Sequence, residues 1–486
     1  MSNIKLSRLP VTLMQAEYGS SVESATGNPL IEAIPPRLEP KQFRERLTNK
    51  VKSIDTTHLD MSNREAYANN LFYIRVLSRQ HLELYYEMYS LLRQGYVHRN
   101  PLDLETVARD YDFADPDIPQ SAISLSGPSV SEALLLTGFS GNGKTTMTEH
   151  ILYKLFPRVI EHKLKGFTDL QVLYLKVDMP HDAVRSGLIF NVLEELDYVL
   201  SKTSYGDPRY RDSVKKRDGS FITIQKMKDV MLNACNRHHV GLIVLDEFQN
   251  IKVVSPTQRE GVIRLVDELS NQLFIPFVRI GTPDLLPLFK NAVHKRRLGK
   301  PIELNRLNGA KEWSSLMGAL YDFQPLAHPI ARDEKIDAAM LSYTGAVPAY
   351  ALGLWKEAII RAIRLREEKI TLKLLRQAFN ERFPLLKSVV RNINNNRRGS
   401  YADLLTVQQY LDDRKSGLAL RHLETIVEKS DARGQAASDI LDGIEAAFEY
   451  GDLNERHHKN LLDMKKRLVE KSQAKLGPQT IEHKKK

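Results

Sequence analysis

The spacing of hydrophobic positions changes along the chain. From Ser62 to Gly95, "SNREAYANNLFYIRVLSRQHLELYYEMYSLLRQG" sets apolar residues at helical intervals. This predicts a helix or helix pair, opened by a capping box from Ser62 to Glu65 and closed at Gly95. Its aromatics, Tyr67, Phe72, Tyr73, Tyr85, Tyr86 and Tyr89, read as packing residues at that spacing. Past the breaker-rich "DPDIPQSAISLSGPS" the pattern switches to short apolar runs, "EALLLTG", "QVLYLKVD", "GLIVLDE" and "PFVRIGT". Amphipathic helices follow Thr145 and lie near "SGLIFNVLEELDYVL" and "REGVIRLVDELSNQ". Strands that are apolar throughout must be covered on both faces, so the alternation predicts an α/β unit, a parallel sheet sandwiched by helices.

From Lys311 to about Phe383 the strand signals stop, and "DEKIDAAMLSYTG" and "VPAYALGLWKEAIIRAIRLREEK" predict a small helical lid. After the polar break "RNINNNRRGS" the chain is again helical in pattern, and "KKRLVEKSQAKLGPQTIEHKKK" has too few apolar residues for a core. The expected organisation is an N-terminal arm and helical region over 1–124, a nucleotide-binding α/β domain over 125–308, the lid over 309–390, and a C-terminal helical extension with a basic tail over 391–486. In the arm, "GNPLIEAIPPRLEP" reads as irregular and dependent on docking.

Composition narrows the setting. The 486 residues exceed one compact core. No apolar stretch approaches the ~18 residues needed to span a bilayer, and "MSNIKLSRLPVTLMQ" lacks the apolar segment of a secretory signal. The lone Cys235 allows no internal disulfide and reads as a small hydrophobe, fitting a cytoplasmic protein. A net charge of +10 makes a polyanionic partner plausible through counterion release.

The chemistry concentrates at "GFSGNGKTT". Gly138, Phe139, Ser140, Gly141, Asn142, Gly143, Lys144 and Thr145 satisfy the Walker A pattern between a strand and a helix, with Thr146 following. Glycines let the backbone N–H groups surround phosphates at the positive end of a helix. Lys144 is expected to reach the β and γ phosphates and the Thr145 hydroxyl to ligate Mg²⁺. About 100 residues on, "GLIVLDEFQN" ends a strand in adjacent carboxylates. Asp246 suits the metal, directly or through water, and Glu247 suits polarising the water that attacks the γ phosphate. Thr282, after "FVRI", could sense that phosphate or water, and Arg296 or Arg297 in "HKRRLGK" would suit an arginine finger reaching a neighbouring subunit. With no N-K-x-D guanine signature, ATP is favoured over GTP. His238 and His239 read as surface residues beside the acidic strand, with no ligand cluster for a metal.

The order of phosphate loop, acidic pair, polar strand end, basic turn and helical lid is that of AAA+ ATPases. The chain further resembles the TnsC family, AAA+ regulators of bacterial transposons that have separate transposase and target-selector subunits. Beyond the ATPase motifs, "NPLIEAIPP" and "GYVHRNP" look like that family's amino-terminal signatures, and "SGNGKTT", "GLIVLDEFQN", "IGTP" and "KRRLG" match in order and spacing over roughly residues 28 to 300. The resemblance implies an ATP-hydrolysing homo-oligomer, ring or filament, on double-stranded target DNA. It would link the transposase to a target selector, alone or with an RNA-guided complex, in DNA transposition and recombination. By motif match Lys144, Thr145, Asp246, Glu247, Thr282 and Arg296 or Arg297 take the roles given above. The departure is in the lid, where "TGAVPAY" has Pro348 in place of a second-sensor arginine.

Related AAA+ proteins often face the central channel with an insertion between the second strand and the acidic strand. Here that span carries Lys202, Arg209, Arg211, Lys215, Lys216 and Arg217, point charges able to neutralise phosphates without reading bases. Asp207, Asp212 and Asp218 also allow an exposed, partly neutralised loop. The alternative reading is a replication initiator or helicase loader with the same ATPase core; no convincing winged-helix pattern follows Asn396.

Overall fold

A computed structural model of the chain describes residues 8–19, 27–114, 133–283, 285, 301–307, 309–384, 386, 387 and 390. The strands among them are β1 (Leu13–Gln15), β2 (Ala133–Gly138), β3 (Val159–Glu161), β4 (Leu170–Val172), β5 (Tyr174–Asp178), β6 (Leu242–Asp246), β7 (Phe277–Ile280) and β8 (Ile302–Leu304). Five form an all-parallel sheet in the order β5-β6-β7-β2-β8. Every residue of β2, β6 and β7 is buried, which explains their uninterrupted apolar sequences. One face is covered by the helices Arg185–Leu200, Ile224–Arg237 and Pro256–Leu273. Arg79–Tyr96 and Lys144–Leu155 cover the other.

The run "QVLYLKVD" serves two sheets. Its first part, in β4, pairs antiparallel with β3, and only β5 enters the main sheet. β1 adds to β3 in parallel, so the amino-terminal arm is docked through a strand. The capping box expected from Ser62 to Glu65 is not the one used: the helix Met61–Ala68 starts two residues earlier, because the Asp60 carboxylate accepts the Asn63 N–H at 3.0 Å. The box in this region joins Ser78 and His81, where the second helix of the pair, Arg79–Tyr96, begins. The aromatics pack as expected, Tyr85 stacked on Phe43 at 5.4 Å and Tyr67 on Phe323 at 5.7 Å.

The segments "NPLIEAIPP" and "GYVHRNP" meet each other. Asn28 caps the short helix Pro29–Glu32 by accepting the Leu30 N–H, and its amide donates to the Tyr96 carbonyl at 2.8 Å. The Tyr96 hydroxyl donates to the His239 carbonyl at 2.7 Å, and the Arg99 guanidinium to that of Val240 at 2.7 Å. These segments clamp the approach to β6 rather than presenting chemistry. Gly241 belongs to the same clamp, since a Cβ there would lie 2.3 Å from the Tyr96 hydroxyl.

The lid consists of Ala310–Asp322, Glu334–Thr344, Pro348–Arg364 and Leu372–Arg382, built around Trp355. Ala68, Leu71 and Ile74 from the amino-terminal region lie in the same core. Two arginine–glutamate forks bind that segment to the lid, Arg64 to Glu368 at 2.7 and 2.8 Å and Arg364 to Glu65 at 2.7 Å for both bonds. The chain thus enters the lid before it builds the sheet, and returns to complete it. No helix among the described residues is long and apolar enough to cross a membrane. The expected C-terminal extension and tail lie outside the described residues.

Candidate nucleotide site

Because β6, β7 and β2 are parallel neighbours, their carboxyl ends share one edge of the sheet. The phosphate loop leaves β2, the acidic pair ends β6, and Gly281 and Thr282 follow β7. Such a crevice is where open α/β sheets bind ligands.

The loop needs its glycines for different reasons. Gly143 has a left-handed backbone, φ +83°, as N-cap of Lys144–Leu155, with open space where a Cβ would stand. Gly141, at φ +88°, lies against the lid: a Cβ would sit 3.1 Å from both Ala349 and Val347 side chains. The Ala349 N–H donates to the Gly141 carbonyl at 3.1 Å. Asn142 is buried and its amide donates to the Leu304 carbonyl of β8 at 2.7 Å. The Lys144 ammonium donates to the carbonyls of Gly138 at 2.8 Å and Phe139 at 3.0 Å, folded across the loop it is expected to serve. Ser140 and Thr146 are exposed and Thr145 half-buried.

Asp246 is buried, and both its oxygens are engaged. One accepts the Glu247 N–H at 2.9 Å, and the other lies 3.3 Å from the Lys176 ammonium. Lys176 also meets Asp178 at 3.0 Å and Glu149 at 3.3 Å. Burial works to lower the Lys176 pKa, but the carboxylates of Asp246, Asp178 and Glu149 outweigh it and hold the ammonium above its ordinary range. Glu247 has a left-handed backbone, φ +52°, which turns its exposed side chain away from the strand direction. The Gln249 amide donates to its carboxylate. Gln249 also reaches the end of β7, where a Cβ on Gly281 would stand 2.9 Å from its side-chain oxygen. Sequence reasoning missed both Lys176 and Gln249, since a lysine in a strand and a glutamine after a strand carry no motif. Thr282 is buried at the end of β7.

A nucleotide–magnesium complex fits these residues. Thr145 and Asp246 offer the hard oxygen donors that Mg²⁺ takes. Among the described residues no group of three or more His, Cys, Asp or Glu is placed to hold a metal alone.

The arginine that meets the lid here is Arg306, which follows β8, rather than one at the helix start. Pro348 occupies the first position of Pro348–Arg364, where its fixed φ suits the turn. Arg306, half-buried and depressed in pKa by that burial, donates to the Gly345 carbonyl at 3.0 Å and lies 5.9 Å from the Phe139 ring. Arg296 and Arg297 lie outside the described residues.

The basic span divides. Lys202, Arg209, Lys215, Lys216 and Arg217 are exposed, whereas Arg211 is half-buried and bound to Asp197 at 3.0 Å and to Asp207 at 3.0 and 3.1 Å. Lys216 and Arg217 sit on a tight hairpin closed by the Lys216 N–H to the Ser220 carbonyl at 2.8 Å, and Lys215 lies 4.2 Å from the Phe190 ring. Lys202 stands 5.7 Å from the Tyr198 ring. His238 and His239 are buried, correcting the surface expectation: the His238 ring nitrogen meets the Tyr210 hydroxyl at 3.0 Å, and His239 meets Asp169 at 3.3 Å. The insertion and the clamp on β6 cover them.

Residues 130–289 match the protein family described as AAA domain. Among curated proteins none matches the chain. Among solved structures it is similar to ORC1 of Aeropyrum pernix in complex with DNA, at 14% identity over 75% of this chain and 83% of that one, TM-score 0.35. It is similar to a Walker-type ATPase of Pyrococcus abyssi, at 12% over 74% and 89%, TM-score 0.36. The RuvB Holliday junction branch migration motor of Thermotoga maritima is similar at 13% over 74% and 87%, TM-score 0.30. The parallel sheet with flanking helices has the AAA+ P-loop ATPase fold.

Proposed function

We propose that the chain is an ATP-hydrolysing, DNA-bound switch that regulates transposition by assembling on double-stranded target DNA. The observation that carries the switch is the direct bond between lid and phosphate loop, Ala349 to Gly141, beside the carboxylates at the end of β6. A loop that binds phosphates and a lid that rests on it cannot change independently. In this reading Lys144 leaves the loop carbonyls for the β and γ phosphates, and Thr145 and Asp246 hold Mg²⁺. When bound, the ion neutralises charge on the phosphates. Glu247 polarises the attacking water and Thr282 orients the same region. Arg296 or Arg297 completes a neighbouring subunit's site, so ATP joins subunits and hydrolysis releases them. The link to a transposase and a target selector rests on the resemblance of "NPLIEAIPP" and "GYVHRNP" to the TnsC family.

The test is electron microscopy of the full chain with duplex DNA of unrelated sequences and a nonhydrolysable ATP analogue. Rings or helices around DNA of any sequence are expected, and monomers indifferent to DNA would sink the reading. Assembly confined to one origin-like sequence would favour a replication initiator instead.

A further inference from the structure

Three carboxylates surround one ammonium at the end of the acidic strand. Lys176 is nine-tenths buried, and its Nζ lies 3.0 Å from Asp178, 3.3 Å from Asp246 and 3.3 Å from Glu149. Each partner comes from a different element. Asp178 closes β5 and stands in register with Asp246 on β6. Glu149 lies on Lys144–Leu155, four residues after Thr145 and so on the same helix face. The ammonium therefore sits on the oxygen of Asp246 that the Glu247 N–H leaves available.

We propose that Lys176 is a resident cation that fixes Asp246 and lowers the site's affinity for a divalent ion, so that the metal is retained only together with a nucleotide. A fixed positive charge beside a metal ligand opposes a second cation, and the effect is strong where water is excluded. Nucleotide phosphates offset that opposition, so binding and release of metal and nucleotide become one event. Lys176 is a positioning residue here, acting through Asp246. This inference rests on the nucleotide reading above.

The experiment measures Mn²⁺ affinity of the full chain by electron paramagnetic resonance, with and without ADP, for wild type, Lys176→Met and Lys176→Arg. Wild type should bind Mn²⁺ detectably only with ADP. The Met variant should bind Mn²⁺ without ADP, at least about tenfold more tightly than wild type does, with a smaller gain in the ADP complex, and the Arg variant should resemble wild type. A lysine that merely braces the fold predicts a less stable Met variant with unchanged or weaker Mn²⁺ binding, and that result overturns the proposal. If the Met variant does not fold, Lys176→Gln, which keeps a donor and removes the charge, carries the same expectation. Failure of wild type to bind ADP at all would instead overturn the nucleotide reading.

Discussion

The amide of Ala349, in the first turn of a lid helix, donates to the carbonyl of Gly141 in the phosphate loop at 3.1 Å. The approach is tight, because a Cβ at Gly141 would stand 3.1 Å from the side chains of Ala349 and Val347. Gly141→Ala therefore meets two costs, a left-handed backbone at φ +88° and crowding against the lid. Gly143→Ala, with φ +83° and open space, meets only the first. The backbone cost is about 1–2 kcal/mol. Denaturant unfolding should show Gly141→Ala as the less stable variant, and equal destabilisation of the two would mean that the lid does not press on the loop in solution.

Glu247 carries the second prediction. Its side chain leaves a left-handed residue and receives the Gln249 amide, so it is oriented without being part of the nucleotide cradle. Glu247→Gln should keep ATP affinity near wild type while hydrolysis falls roughly 10²- to 10⁴-fold. DNA-bound oligomers should then accumulate in sedimentation with ATP. Undiminished phosphate release by this variant would take Glu247 out of the reaction.

Most of the site was legible because its residues are tied to one strand end or one turn, where local sequence fixes placement. β2 with its loop and β6 with its carboxylates are such places. The remainder depends on long-range pairing. β8 is three residues long and has no periodicity of its own, yet it completes the sheet and accepts the Asn142 amide. Lys176 acquires meaning only from three carboxylates that the fold gathers around it. The lid's share of the amino-terminal region is likewise invisible locally, since Arg64 and Glu368 find each other across 304 positions. His238 and His239 read as surface residues because their covering elements come from elsewhere in the chain.

Buried histidines supply a pH prediction. Burial pushes His81 and His162 down to about 4 and His238 to about 3, the last also opposed by Arg237. The folded chain thus resists protons that the unfolded chain accepts near 6.5. The stability these groups contribute is complete above that pH and is lost as pH falls toward 4. Between about pH 7.5 and 5.5 the loss should be on the order of 3 kcal/mol. His81→Gln, which preserves a capping box with Ser78, should reduce the loss by about 1 kcal/mol. Chemical denaturation at the two pH values checks this, and an identical pH dependence in the variant would contradict it.

Lys216 and Arg217 differ from Arg211 in a way that salt can read. The first two are exposed on a hairpin, while Arg211 is already neutralised by Asp197 and Asp207. If the hairpin meets DNA phosphates, Lys216→Ala with Arg217→Ala should flatten the log–log salt dependence of binding by about 0.9 for each phosphate no longer neutralised, per subunit. Arg211→Ala should leave that slope unchanged and lower stability instead, because it strips a fully buried Asp197 of its guanidinium partner. Fluorescence anisotropy with duplex DNA across a salt series, alongside thermal melts, separates the two effects. A double variant with the wild-type slope would move the DNA-binding surface away from the hairpin. A flattened slope for Arg211→Ala alone would show that the aspartates release that arginine to DNA.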